Sequence, residues 1–168
     1  MPRWLFDRYR SPVGELSLAT DEDGVLTWLA FPDRGAPPAG EAVAGKPKHV
    51  REALDRYFAG DIAGLDGLVC RGEGTSFQRQ VWAALRDIPA GRTESYGGLA
   101  GRIGAPRAVR AVGAANGANP IAIVVPCHRV IGANGTLTGY GGGLPRKKWL
   151  LEHEQRHCVA AAGPLFAR

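Results

Sequence analysis

The sequence has no segment that looks like a membrane span or a signal peptide. Its longest purely apolar run, residues 121–125, is far shorter than the roughly 20 residues that cross a bilayer. The first ten residues, MPRWLFDRYR, carry charges where a secretory signal would be apolar. We therefore expect a cytoplasmic protein with no membrane partner.

Cysteine is also scarce, and its placement excludes a disulfide framework. The three cysteines, Cys70, Cys127 and Cys158, are odd in number and widely spaced. No CxxC pair occurs, and the grouping closest to a ligand set is His153, His157 and Cys158. That grouping is more typical of an ordinary helix surface, so we expect neither a metal nor a cofactor.

Charge is present but unevenly distributed. Residues 1–73 carry nine Lys/Arg against 12 Asp/Glu, whereas residues 74–168 carry 12 against four. The net charges are therefore −3 and +8, which together make the +5 of the whole chain. A polyanion such as nucleic acid would bind the basic second half, although a basic face can also be merely solvated.

The first half reads as a scaffold. Residues 15–19 alternate polar and apolar side chains, and residues 25–29 form a second apolar run after an Asp/Gly-rich turn, which predicts a β-hairpin. Residues 31–48 are rich in Pro, Gly and Ala and predict a loop. Residues 49–59 have apolar side chains at helical spacing.

The second half predicts three helices. The first runs from about residue 77 to residue 88, with Ser76 as its N-cap. A short helix follows over residues 96–102, and the third covers residues 107–117. Helix, short turn and helix is the helix-turn-helix pattern of many DNA-binding proteins. The third helix is nearly smooth, because it consists mostly of Ala and Gly; a tightly packed core helix would look the same.

Cys127 is the strongest candidate for chemistry. It follows residues 121–125, whose β-branched content predicts a buried strand, and it precedes His128 and Arg129. A thiol becomes a nucleophile beside cations or a base. Neighbouring side chains of an extended segment point to opposite faces, so we expect a water to join Cys127 to His128. His128 needs an acceptor, for which Glu154 is the first candidate, and Glu152 and Glu94 are weaker ones.

The run from Pro126 to Val130 resembles the active-site signature of the O6-alkylguanine-DNA alkyltransferases. Further motifs of that family occur in the same order and cover most of residues 74–154: GTSFQ with VW, SYG, RAVG, NP, YGGG and WLL. The first half resembles the family only through SPVG and the hairpin after it. Arg92, Gly98 and Asn116 depart from common family patterns, which puts fine DNA contacts in doubt.

The resemblance implies a role for each matching residue. Cys127 would accept the alkyl group, and His128, held by Glu154, would act through water as general base. Tyr96 would donate a hydrogen bond to the departing guanine. Asn119 would be the hinge between the DNA-binding helix and the segment of Cys127.

The resemblance also implies DNA contacts and a pocket for the extruded base. Arg110 would enter the duplex from the minor groove and fill the gap left by the flipped nucleotide. The other implied DNA contacts are Ser95, Tyr96, Ala111 and Gly113. Main-chain groups at Cys127 and Val130, with Tyr140 and Gly141, would line the pocket.

The fold implied is α+β, with two domains. Residues 1–73 would form a small β-sheet and helix scaffold resembling ribonuclease H, packed on a mostly helical domain of residues 74–168 with a winged-helix or helix-turn-helix motif. The function implied is direct repair of O6-alkylguanine, and of O4-alkylthymine, in double-stranded DNA, one turnover per molecule. We expect a monomer and leave cooperative DNA binding open. The alternatives are a non-catalytic binder of alkyl damage, a helix-turn-helix regulator and a thiol hydrolase.

Overall fold

The structure, a computed structural model, describes residues 2–37 and 39–158. The chain divides into two compact units. The first unit comprises Met1–Glu73 together with Pro120–Val124, and the second comprises Gly74–Asn119 and Val125–Arg168. Within the described ranges, no helix has the length and apolar character needed to cross a bilayer.

The first unit is built on a four-stranded sheet in the order β3-β2-β1-β4. Its strands are β1 (Arg3–Ser11), β2 (Gly14–Thr20), β3 (Leu26–Ala30) and β4 (Glu41–Ala44). β2 pairs antiparallel with both β1 and β3, so the expected hairpin of β2 and β3 is present. Helix α1 (Lys48–Phe58) follows the sheet and buries Val50, Leu54 and Tyr57.

Two segments of the first unit differ from the sequence-based expectation. Residues 31–48 are not only a loop, because they include β4, which pairs parallel with β1 at the edge of the sheet. β4 has the sequence EAVA and is mostly exposed, so it lacks the alternation of buried and exposed side chains that would have revealed it. The predicted strand over residues 121–125 does not form. Ile121 makes a single bridge to Leu29, and Ile123 has a φ of 71°, which an extended strand does not permit.

The second unit is mostly helical. It contains α2 (Ser76–Leu85), α3 (Tyr96–Arg102), α4 (Val109–Gly117) and α5 (Leu144–His157). The short parallel strands β5 (Glu94–Ser95) and β6 (Val130–Ile131) pair with each other. A 3₁₀ helix, Cys127–Arg129, immediately precedes β6.

The start of α2 corrects one prediction. The N-cap is Thr75 rather than Ser76, because Thr75 has an extended backbone and its hydroxyl accepts from the Gln78 amide. The Gln78 side chain returns a hydrogen bond to the Thr75 amide, which completes a capping box. α2 also ends at Leu85, before Ile88, although Ile88 remains buried. The indole of Trp82 on α2 donates to the carbonyl of Ala115 on α4 at 2.8 Å, which fixes the last turn of α4.

Candidate active site

The candidate nucleophile, Cys127, is buried at 7% exposure in the second unit. It opens the 3₁₀ helix that leads into β6, rather than following a strand. The amide of Cys127 donates to the carbonyl of Val125 at 2.8 Å, and this tight turn replaces the extended backbone expected here. Successive side chains of a 3₁₀ helix lie about 120° apart, so Cys127 and His128 do not point to opposite faces.

A buried ionic cluster follows Cys127. Glu154 on α5 is fully buried, and its carboxylate accepts from His128 Nε2 at 2.8 Å. The same carboxylate accepts from Arg129 Nε at 2.8 Å and Nη2 at 3.0 Å, while Arg129 Nη1 donates to the Ile88 carbonyl at 2.7 Å. Of the three carboxylates considered as partners of His128, Glu154 is the one in contact. Glu94 pairs with Arg102, and Glu152 lies 3.9 Å from Lys148.

The protonation states of this cluster follow from its burial. Burial lowers the pKa of His128, and the nearby Arg129 and Lys147 lower it further, against the opposing effect of Glu154. Burial alone would raise the pKa of Glu154, but His128 and Arg129 hold it well below its usual range. His128 is therefore neutral at pH 7 and carries its proton on Nε2, facing Glu154. Its other nitrogen, Nδ1, is buried and has no hydrogen-bond partner, so its lone pair can take a proton.

A second cation near the thiol, Lys147, was missed by the sequence analysis. Its side chain is fully buried, and its ammonium donates to the carbonyls of Val130 at 2.6 Å and Thr138 at 2.8 Å. Burial lowers the pKa of Lys147 to about 8, and the electrostatic effect of Cys127 opposes that shift. Lys147 looks like an exposed residue in the sequence because Lys148 follows it; only the packing of α5 separates the two.

Tyr96, the first residue of α3, is half-buried, and its hydroxyl lies 3.4 Å from the carbonyl of Thr138. Burial raises the pKa of Tyr96; the hydrogen bond to Thr138 lowers it and the nearby Cys127 raises it further. The Tyr96 hydroxyl therefore stays protonated at pH 7, and it donates its one hydrogen to the Thr138 carbonyl across this long contact. A Cβ at Gly139 would lie 3.8 Å from this hydroxyl, so a glycine keeps the space beside it open.

Two asparagines hold the main chain on either side of Pro126. Asn119 Nδ2 donates to the Val125 carbonyl at 2.8 Å, and Asn116 Nδ2 donates to the Cys127 carbonyl at 3.4 Å. Both side chains are buried, so the departure of Asn116 from the common family pattern lies in the interior of the unit. The spacing of three residues between Asn116 and Asn119 was the available sequence signal that both amides could reach the same segment.

Helix α4 presents its first residues to solvent. Arg110 and Ala111 are exposed, and Gly113 is half-buried, with room for a Cβ about 3.9 Å from the Tyr96 ring. The hydroxyl of Ser95 is already used as the N-cap of α3, where it accepts from the Gly98 amide at 2.9 Å.

The expected pocket residues differ in exposure. Val130 is fully buried, Tyr140 is half-buried and Gly141 is exposed. Val130 contributes its carbonyl to the contacts of Lys147.

The histidines near the end of α5 are not an ordinary helix surface. His153 is buried and stacks on Trp149, with ring centroids 4.7 Å apart, while His157 is exposed. Within residues 2–37 and 39–158, no three His, Cys, Asp or Glu side chains are grouped in a way that could hold a metal ion.

These features define an α+β protein in which a buried cysteine, a neutral histidine and two buried cations occupy a basic helical unit. Comparison with known proteins identifies the class more closely. Residues 76–156 match the family model of the DNA-binding domain of 6-O-methylguanine DNA methyltransferase. The chain is 48% identical over 166 residues to the methylated-DNA–protein-cysteine methyltransferase of Salmonella typhimurium, covering 92% of this chain and 97% of that protein.

Two further proteins, a curated relative and a solved structure, indicate the same family. The methylated-DNA–protein-cysteine methyltransferase of Mycolicibacterium paratuberculosis is 52% identical over 154 residues, covering 90% of this chain and 92% of that protein. The crystal structure of Mycobacterium tuberculosis OGT in complex with DNA is 44% identical with a TM-score of 0.81, covering 95% of this chain and 96% of that one. The chain therefore belongs to the methylated-DNA–protein-cysteine methyltransferase family.

Proposed function

We propose that this protein repairs DNA by transferring an alkyl group from O6 of guanine to the sulfur of Cys127. The observation that carries the proposal concerns His128, which directly follows the buried Cys127 in the chain. His128 is neutral and fully buried, and its Nδ1 has no hydrogen-bond partner. A helix-turn-helix regulator has no need for such a cysteine and histidine, and a thiol hydrolase would leave the match to a DNA-binding domain over residues 76–156 unexplained.

His128 serves as the base. Because Glu154 accepts from Nε2, the lone pair at Nδ1 is free to take the thiol proton through a bridging water. Glu154 in turn is fixed by two nitrogens of Arg129, so the imidazole cannot rotate without losing its buried hydrogen bond to Glu154. This arrangement sets both the tautomer and the orientation of the base.

The thiolate then displaces guanine at the alkyl carbon. The S–C bond forms as the O6–C bond breaks, and the electron pair of the broken bond stays on the guanine, which receives a proton. The ammonium of Lys147 favours the thiolate before attack. The hydroxyl of Tyr96 donates a hydrogen bond to the base as negative charge develops on it.

The product is a thioether on Cys127, and none of the described residues around it has a means of cleaving a carbon–sulfur bond. We therefore propose that each molecule reacts once. O4-alkylthymine presents the same bond, an alkyl carbon on an exocyclic oxygen, and we include it among the substrates.

Access to the alkylated base requires that it leave the stacked duplex, which costs a few kcal/mol. Arg110, exposed near the start of α4, is the side chain that would fill the gap. Ala111 and Gly113, which follow Arg110 on α4, have almost no side chain, so the helix backbone there can approach the minor groove. The flipped base would lie against main-chain groups at Cys127 and Val130, together with Tyr140 and Gly141.

The remaining expectations concern the whole molecule. We propose that Met1–Glu73 serves as a scaffold related to ribonuclease H. In the domain of residues 74–168, α3 and α4 would form the helix-turn-helix. We propose that the protein is a monomer that acts in the cytoplasm, where its DNA substrate is found.

The test is a transfer assay with duplex DNA that carries labelled O6-methylguanine. Label should move to the protein and saturate near one methyl per molecule, and Cys127→Ala should bind the duplex without accepting label. Cys70→Ala is the matched control, since Cys70 belongs to the first unit, and it should transfer as the wild type does. Binding without transfer by the wild type would make the protein a damage binder, and repeated turnover would refute the thioether product.

A further inference from the structure

Asn116 occupies an unfavourable position that its own packing does not explain. It lies in the last turn of α4 at 4% exposure, where its Nδ2 donates to the Cys127 carbonyl. A carbonyl can only accept, so the amide must present Nδ2 to it. Its Oδ1 is consequently left buried with no hydrogen-bond partner.

An orphaned buried acceptor destabilises a folded protein, and an apolar side chain of the same outline would avoid it. Leucine has the same branched outline as asparagine. A residue that costs stability in this way is expected where it contributes to function rather than to folding.

In return for the unpaired Oδ1, Asn116 makes a hydrogen bond to the peptide unit of the proposed nucleophile, Cys127. Asn119, three residues later, holds the Val125 carbonyl, and the Cys127 amide donates to that same carbonyl. Two amides from the end of α4 thus hold the carbonyls that flank Pro126-Cys127. The turn of α4 that carries Asn116 is itself fixed by the Trp82 indole at Ala115.

We propose that Asn116 is a positioning residue that holds the Cys127 peptide unit in the geometry required for attack, and that it does so at the expense of stability. This inference rests on the proposed alkyl transfer to Cys127. It assigns Asn116 to the chemical step rather than to DNA contact, although α4 carries both Asn116 and the DNA-contacting Arg110.

The decisive variant is Asn116→Leu, studied with excess protein over labelled duplex at several protein concentrations. The transfer rate at saturating protein should fall about tenfold, which corresponds to about 1.4 kcal/mol of barrier. The protein concentration for half-saturation should stay unchanged, and the urea midpoint should not fall. A merely structural residue would instead lower stability along with the rate.

Thr20→Val is the matched control. Thr20 belongs to the first unit, is fully buried, and its hydroxyl also has no hydrogen-bond partner. Removing that hydroxyl should raise the urea midpoint and leave the transfer rate unchanged, which separates the effect of an orphaned polar atom from an effect on chemistry.

Asn116→Asp adds a readout that depends on charge. An ionised carboxylate faces the Cys127 carbonyl and opposes the thiolate, whereas a protonated one can still donate. The rate of the variant relative to wild type should therefore decline as pH rises. Lys147, His128 and Tyr96 also titrate near Cys127, but they are present in both proteins, so the ratio isolates position 116.

The outcomes separate the two proposals. If the wild type transfers no alkyl group, the proposed function fails. If the wild type transfers and Asn116→Leu transfers equally fast, the positioning role of Asn116 is wrong. A variant that needs more protein for half-saturation, with an unchanged maximal rate, would place Asn116 in DNA binding and would also overturn the inference.

Discussion

Replacing Glu154 with glutamine tests the buried cluster most directly. The Glu154 carboxylate is fully buried and accepts from three nitrogens, one on His128 and two on Arg129. Glutamine has the same shape but keeps only one acceptor oxygen and turns an NH2 group toward the remaining donors. It also leaves Arg129, which is only 9% exposed, without a counter-charge.

The size of the effect follows from that loss. Removing one partner of a buried ion pair typically costs about 3–5 kcal/mol. Total stabilities of domains are about 5–15 kcal/mol, so Glu154→Gln should unfold at markedly lower urea concentration. Arg129 Nη1 keeps its bond to the Ile88 carbonyl, which limits the loss.

The same variant should slow alkyl transfer beyond what unfolding explains. An amide NH2 facing His128 Nε2 favours the tautomer that carries its proton on Nδ1, which removes the free lone pair. Loss of a general base typically costs about 10²–10⁴ in rate. The rate is to be measured in the absence of urea on the fraction of protein that is folded.

Glu152→Gln is the control on the same helix. Its side chain is 46% exposed and lies 3.9 Å from Lys148, so removing its charge should cost less than about 0.5 kcal/mol and leave the rate unchanged. A loss below about 1 kcal/mol for Glu154→Gln would refute the argument from a buried, unpaired arginine. A normal rate in that variant would refute the role assigned to the His128 tautomer.

Three further predictions concern the same site. Tyr96→Phe should lower the transfer rate about tenfold with unchanged DNA affinity, because the donor to the departing base is lost; equal rates would contradict that role. The wild-type rate should decline as pH rises through about 8, where Lys147 loses its charge, and Lys147→Met should be slower at pH 7 and show no such decline. Acid should destabilise the fold in two steps. In the unfolded chain His128 takes up a proton below about pH 6.5 and Glu154 below about pH 4.3. In the folded protein, burial lowers the pKa of His128, and the hydrogen bond from His128 together with the charged Arg129 lowers the pKa of Glu154, so both contributions to stability are lost as the pH falls. Urea midpoints that stay constant from pH 7 to pH 4 would contradict this.

The family and the position of the candidate site could be predicted from local sequence. The run from Pro126 to Val130 and the motifs around it indicate the family, because each of these short motifs consists of consecutive residues and can be recognised without tertiary information. The expected helix over residues 96–102 coincides with α3, because Ser95, a good N-cap, stands directly before it.

Predictions failed where the partner was distant in sequence. β4 is a strand only because β1, some 38 residues earlier, offers it an edge. The segment 121–125 has the composition of a strand, but its β-branched residues reflect burial, and the positive φ of Ile123 prevents extension. Periodicity reports which side chains are buried, and in such short segments it does not report the backbone conformation.

The sequence by itself determined the family and indicated the candidate nucleophile with its neighbours, because those follow from residue types in fixed order. Only the tertiary structure decided that Lys147 is buried while Lys148 is exposed, and that Asn116 is buried and donates to the Cys127 carbonyl. Both results depend on how α4 and α5 pack around the 3₁₀ helix of Cys127. Burial then influences the charge state of each group, because it penalises the ionised form and strengthens each hydrogen bond that the group makes.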